Sequence, residues 1–222
     1  MPNSEFIVPL CSEEIAIHYQ DDALMVVDKP AGLLSVPGRH PQNKDCLISR
    51  LQADKPEARI VHRLDMATSG LMIIALSAES HRQLSRQFEQ RKIGKRYLAK
   101  VDGKVEAESG FIDLPLACDW PNRPKQHINF DWGKSAQTHY RRIAFNDTDS
   151  VLELEPITGR SHQLRVHCAS IGHPILGCEF YATDAARSAS PRLLLHASQL
   201  NFRHPQSNEI MDFASPAPFL NL

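Results

Sequence analysis

Two alternating stretches limit the fold more than any other feature of this chain. AQTHYRRIAF (136–145) and SVLELEPIT (150–158) each set apolar and polar side chains on opposite faces with a period of two. The Asn-Asp-Thr-Asp-Ser run between them (146–150) is turn chemistry, so the pair reads as two strands of an antiparallel hairpin. Shorter runs add to the count. ALMVVDKPAG (23–32) is a buried strand stopped by Pro30 and Gly32, and GLMIIAL (70–76) is an apolar run of strand length. KRYLAKVDG (95–103) and FIDLPL (111–116) alternate, and RLLLHASQLNF and EIMDFASP are closing strands.

Helices are fewer. CLISRLQAD (46–54) has helical apolar spacing and ends before Pro56. SAESHRQLSRQFEQRKI puts Leu84 and Phe88 on one face, with Ser77 or Ser80 as its cap. SHQLRVHCASIG spaces Leu164, His167, Cys168 and Ile171 helically, with Gly172 as a C′ residue. The expectation is an α+β fold with a largely antiparallel mixed central sheet flanked by helices and loops. We expect a lead-in over 1–14 and a single domain over 15–222.

Size and charge exclude several classes. The chain has 222 residues, a formal net charge of -1 and a sequence pI near 6.8. That balance is not the domain-wide basic footprint of a typical nucleic-acid binder, although a local basic groove remains compatible with it. Five scattered cysteines without a C-x-x-C pair read as reduced thiols of a cytosolic protein. The N-terminus lacks the basic and apolar regions of a signal peptide, and no run is long enough to span a bilayer.

The most pointed stretch is VHRLDMATSG (61–70), which holds one acid between a His-Arg pair and turn formers. Asp65 there is a nucleophile, a metal ligand, a cap or a loop charge. A carboxylate nucleophile must stay ionised beside its substrate, which takes a nearby cation once water is excluded. Arg63 is near in sequence, but a second arginine from elsewhere would be the better partner. PITGRSHQLRVH (156–167) brings Arg160, His162, Arg165 and His167 together, and on a helix His162 and Arg165 share a face. Against this stands an ordinary amphipathic helix with its basic side in solvent. Arg160 near the helix start opposes the macrodipole, which favours a functional reason for it.

The histidines do not build a metal site. His162 and His167 are five apart rather than four, and no HExxH occurs. Ser161 beside His162 lacks the G-x-S-x-G elbow of a hydrolase. Tyr97, just after the basic run RKIGKR (91–96), is either a strand tyrosine over the core or an aromatic platform for an extruded base. CDWPNRPKQ (118–126) is a second loop that mixes an aromatic with cations.

In this order, KPAGLLSVPG, HRLDMATSG, PITGRSHQLRVH, GHPILGC and RLLLHA resemble the motifs of the RluA family of pseudouridine synthases. The resemblance runs from about residue 19 to residue 217. It implies that Asp65 is the catalytic aspartate, Arg165 the arginine paired with it, and Tyr97 the aromatic stacked on the target base. It also implies that Arg63 enters the RNA stack when the base leaves. Lys29, His62, Arg160 and His162, with Arg123 and Lys125 of the DWPNRPKQ loop, are the other expected RNA contacts, and Thr68-Ser69-Gly70 would fix the turn. Because the entry motif begins by Lys29, the S4-type RNA-binding domain of many relatives is not expected here.

The implied reaction breaks the N1–C1′ bond of uridine, turns the uracil and rejoins it through C5. Nothing is oxidised, so no cofactor is expected. Asp65 would attack C1′ or C6, or act as base, and Tyr97 would stack on the uracil and could relay the C5 proton. The DWPNRPKQ loop points to members acting on a tRNA anticodon stem-loop and a 23S rRNA hairpin, and the expected protein is a cytoplasmic monomer with RNA partners. Three alternatives compete: a TruC-like enzyme for another tRNA position, a non-catalytic RNA-binding protein that keeps the fold, and a metal-dependent hydrolase.

Overall fold

The structure is a computed structural model that describes residues 6–220. The described chain forms two compact units. One spans Arg96–His196, and the other joins the chain up to Lys95 with 197–220.

The unit that carries Asp65 is built on apolar strands. β1 (Ala16–Gln20) pairs antiparallel with β2 (Leu24–Lys29), and β2 with β4 (Ser69–Ala75). The two-residue β3 (Arg59–Ile60) also pairs with β4. All seven residues of β4 are buried, which is why its sequence is continuously apolar rather than alternating. β11 (Leu195–Arg203) neighbours β4 and pairs with β12 (Ile210–Ala214). α1 (Leu47–Gln52) and α2 (Ala78–Glu89) complete the unit. Ser77 caps α2 by accepting from the Ser80 amide at 3.0 Å. Leu84 enters a core with Leu24, Val26, Leu71, Ile73 and Phe202, and Phe88 packs at its edge.

Gly70 answers to packing rather than to the turn. A Cβ there would lie 2.4 Å from the Ala197 carbonyl oxygen, and its φ is +117°. β4 and β11 can approach this closely only where the side chain is missing. Thr68 closes the turn, its amide donating to the Asp65 carbonyl at 3.1 Å. Ser69 and Gly70 already belong to β4.

The unit that carries Arg165 is also antiparallel. β5 (Gly94–Asp102) pairs with β10 (Asp149–Pro156), β10 with β9 (Gln137–Phe145), and β9 with β6 (Ser109–Asp113). The opening hairpin of the sequence is therefore β9–β10. A separate ribbon joins β7 (Leu116–Cys118) to β8 (Gln126–Ile128). α3 (Gln163–Ser170) and the short α4 (Asp184–Ser188) follow. Gly172, at φ +84°, follows the C-cap of α3 as its spacing predicts.

The strands and three longer helices expected from periodicity are present, and the fold is α+β. β1, β3, β7, β8 and α4 escaped the sequence reading because two to five residues carry too little periodicity. The lead-in call falls partly on residues 1–5, outside the described residues. Residues 6–14 have no regular structure, yet Asn43 holds them by donating to the Phe6 carbonyl at 2.7 Å and accepting from the Val8 amide at 2.9 Å. The polar loop after Gly38 closes on itself, the Gly38 amide donating to the Asn43 carbonyl at 2.7 Å.

Candidate active site

Asp65 sits half-buried in a loop that hangs between β3 and β4. That loop is tied to the entry motif by backbone and side chain alike. The Ser35 hydroxyl donates to the Leu64 carbonyl at 2.7 Å and accepts from the Leu64 amide at 3.2 Å, bracketing the residue before Asp65. On the other side, the Gly32 amide donates to the Met66 carbonyl at 2.8 Å. The backbone on both sides of Asp65 is thereby held by the KPAGLLSVPG segment, which gives that motif a mechanical reason to exist.

Lys29 corrects the sequence reading. It was expected to contact RNA, but its residue is 0% exposed. Its ammonium donates to the carbonyls of Pro30, Leu33 and Met66 at 2.8, 2.7 and 3.1 Å. Those bonds use the three donors an ammonium has, so none is left for a phosphate. Lys29 instead staples the 30–33 turn to the residue after Asp65. A buried charge is tolerated when it is this fully hydrogen-bonded.

His62 has a supporting bond of its own while remaining partly exposed. Its Nε2 accepts from the Ile73 amide at 2.9 Å, and its ring stacks on Phe88 with centroids 4.5 Å apart. Burial, helped by the nearby Lys95 charge, pushes its pKa down to about 3. A neutral acceptor of this kind supports the strand that follows the loop. Arg63, by contrast, is exposed.

In the other unit, α3 is not the amphipathic helix its basic side chains suggested. Gln163 through Cys168 are all buried. Gln163 fixes the start: its amide oxygen accepts from the Thr158 hydroxyl at 2.7 Å and the Arg160 amide at 3.0 Å. Its amide nitrogen donates to the Gln137 carbonyl at 2.9 Å and the Thr138 hydroxyl at 3.0 Å. His167 bonds the Thr138 hydroxyl through Nδ1 at 2.9 Å and donates from Nε2 to the Leu114 carbonyl at 3.1 Å. Burial lowers its pKa, against the opposing pull of the Leu114 carbonyl and Asp113.

Arg165 is 3% exposed. Its Nε donates to Cys178 Sγ at 3.4 Å, and its guanidinium lies 5.1 Å from the Phe180 ring and 5.4 Å from the Tyr181 ring. His162 meets the same two rings, stacked on Phe180 and edge-on to Tyr181. It precedes the helix in the left-handed region at φ +54°. The Tyr181 hydroxyl accepts from the Gln126 amide at 2.8 Å and is hydrogen-bonded to His162 Nδ1 at 2.6 Å. Gln163, Phe180 and Tyr181 thus shape the surroundings of Arg165, and sequence reasoning missed all three. The available signal was the aromatic pair directly after GHPILGCE.

Tyr97 stands on β5 opposite Leu154, half-buried. The basic run before it divides. Arg96 pairs with Glu153 and Glu155 at 3.9 and 3.7 Å, and burial followed by the Arg91 charge lowers the pKa of Lys95. Arg91 and Lys92 are exposed. Arg160 is exposed, with its Nε donating to the Ser135 carbonyl at 3.0 Å. In the 118–126 loop the Arg123 guanidinium lies 3.3 Å from the Trp120 ring, and Lys125 is half-buried.

Among the described residues, no three His, Cys, Asp or Glu side chains gather in a metal-holding group, and no helix is long and apolar enough to cross a membrane.

Residues 23–170 match the sequence profile of a family described as RNA pseudouridylate synthase. The chain is 52% identical over 206 residues to the dual-specificity RNA pseudouridine synthase RluA of Escherichia coli strain K12, covering 92% of this chain and 94% of that protein. It is 54% identical over 202 residues to the protein of the same name from Yersinia pestis, covering 90% of this chain and 98% of that one. Among solved structures, human RNA pseudouridylate synthase domain containing 1 superposes with a TM-score of 0.79 at 28% identity, over 96% of this chain and 88% of that chain.

Proposed function

Since the chain belongs to the RluA family of RNA pseudouridine synthases, an isomerase family acting on RNA, we propose that it converts specific uridines to pseudouridine in a tRNA anticodon stem-loop and a 23S rRNA hairpin. The observation that carries this reading is the 52% identity over 92% of the chain to enzymes named for dual specificity. Asp65 is the reacting carboxylate, Arg165 its cation and Tyr97 the aromatic against the uracil, roles taken from the motifs that these residues occupy.

The reaction balances without a co-reactant. The N1–C1′ bond breaks, a C5–C1′ bond forms, C5 loses its proton and N1 gains one. The target base must first leave its stack, which costs a few kcal/mol in general and less in a loop than in a duplex. Arg63, exposed two residues before Asp65, fills the vacancy and offsets part of that cost. A rigid support for the Asp65 backbone favours this chemistry, since a reacting group displaced by an ångström loses most of its advantage. The network of Ser35, Gly32 and Lys29 supplies that support. The protein works as a monomer in the cytoplasm.

The test is to map pseudouridines in total tRNA and rRNA from cells with and without the gene. Loss at one anticodon stem-loop position and one 23S rRNA position is expected. Loss at a single tRNA site outside the anticodon stem-loop would favour the TruC-like alternative, and unchanged maps would refute the proposal.

A further inference from the structure

The stretch 119–134 holds more than the two cations already assigned to RNA. It forms two turns at either end of β8. The first is closed by the Asp119 amide donating to the Lys125 carbonyl at 3.0 Å, and by the Lys125 amide donating to the Asn122 carbonyl at 3.0 Å. In the second, Asn129 Oδ1 accepts from the amides of Asp131 and Trp132 at 3.1 and 2.9 Å. The Gly133 amide then donates to the Asn129 carbonyl at 3.1 Å, and a Cβ on Gly133 would stand only 2.1 Å from that oxygen. The ribbon is anchored beneath by Leu116, Ala136 and Val166.

These tied turns display three large aromatics to solvent: Trp120 is 63% exposed, Phe130 76% and Trp132 58%. None belongs to the anchoring core. Cations and a further ring accompany them. The Arg123 guanidinium lies 3.3 Å from the Trp120 ring, and His127 meets Trp132 edge-on at 5.7 Å. Between 119 and 134 lie Arg123, Lys125 and Lys134 against Asp119 and Asp131. The Asp119 carboxylate is engaged by the Asn122 side-chain amide at 3.0 and 3.1 Å. The local balance is positive in a chain whose formal net charge is -1.

Exposed π-faces interleaved with cations suit unpaired nucleotides, whose bases stack and whose phosphates seek positive charge. A paired helix would leave the aromatic faces unused, because its bases are already stacked. We infer that the 119–134 ribbon is a stacking platform for unpaired nucleotides of the RNA substrate, with Arg123, Lys125 and Lys134 facing the phosphates. This rests on the reading of the protein as an RNA enzyme. Its tied turns keep the platform preorganised, which limits the ordering cost of binding.

Trp120 and Trp132 are the only two tryptophans of the protein, so its intrinsic emission reports on this ribbon. The full chain is titrated with a stem-loop RNA and with a fully paired duplex of the same composition, and affinity and emission are followed together. Quenching by the stem-loop and little change with the duplex are expected. Trp120→Ala, Phe130→Ala and Trp132→Ala should each weaken stem-loop binding by about tenfold, the usual range for one lost base–aromatic stack. Phe111→Ala, at an exposed aromatic of β6, should not. Unchanged stem-loop affinity in all three variants, or equal losses for stem-loop and duplex, would overturn the platform. So would an emission change that follows protein concentration or anionic vesicles instead of RNA. Pseudouridine formation is measured in parallel. Product from the parent with unaffected variants would sink the platform alone, while no product from the parent would sink the functional reading and leave the titrations to judge the platform.

Discussion

The Asp65 loop and the 119–134 ribbon are both turn-rich segments that mix charges with rings, yet they are built in opposite ways. Around Asp65 the polar groups turn inward: Lys29 is wholly buried on three carbonyls, and His62 is a neutral acceptor for the Ile73 amide. On the ribbon three large rings turn outward, and the backbone is tied by neutral groups such as Asn129 and Gln126 rather than by a buried charge. The difference separates two tasks. A reacting carboxylate needs a backbone that does not yield, whereas a surface that meets many RNA shapes needs exposed faces on stable turns. Substitutions in the first region should therefore change chemistry or stability, and those in the second affinity.

The largest expected effect is at Asp65 itself. Asp65→Asn should abolish pseudouridine formation while stem-loop affinity and the unfolding midpoint stay near the parent's. Measurable product from this variant would remove the role assigned to the carboxylate. Next comes Lys29→Met, which takes the donor from three buried carbonyls. A loss of about 2–4 kcal/mol in urea unfolding is expected from leaving such groups unpaired. If stability held while RNA affinity fell, Lys29 would be a contact after all and the contrast would fail.

Acid provides a graded probe of the same inward-facing groups. The pKa of His62 lies near 3 in the fold against 6.5 for a free side chain, and that of His167 is also lowered. The unfolded chain therefore binds protons that the folded chain refuses. This contribution is fully present above about pH 7 and is lost as pH falls below 6.5. By pH 4.5 His62 alone should account for about 3 kcal/mol. His62→Gln keeps an acceptor for the Ile73 amide without titrating there, so its stability should vary less between pH 7 and 4.5. An identical slope in both proteins would contradict a neutral, supporting His62.

The smallest effects belong to the outward region. Arg123→Ala and Lys125→Ala should each weaken stem-loop binding a few-fold, reduce its salt dependence by about one contact, and leave stability within about 0.5 kcal/mol. A loss of stability as large as that of Lys29→Met would mean that the two regions do not differ as described.

Much of the fold was legible because periodicity records which side of an element is apolar. β9 and β10 alternate and were recognised as a hairpin, and α2 was recognised from Leu84, Phe88 and its Ser77 cap. α3 resisted for a physical reason. It is buried from Gln163 to Cys168, and beyond the nearby Thr158 its polar side chains bond Thr138, Leu114 and Cys178, partners from other segments that no local pattern announces. Tyr181 escaped for the same reason: its bonds to Gln126 and His162 join residues 55 and 19 positions away.

What the sequence determined by itself was the order of strands and helices, the family, and the motif in which Asp65 stands, since these rest on local spacing and on ordered residue identities. Tertiary structure alone decided which motif cations are tools and which are props. A lysine or histidine reads the same on paper whether it meets solvent or a buried carbonyl. Only the folded chain shows that the donors of Lys29 and the ring of His62 are already taken by the backbone around Asp65.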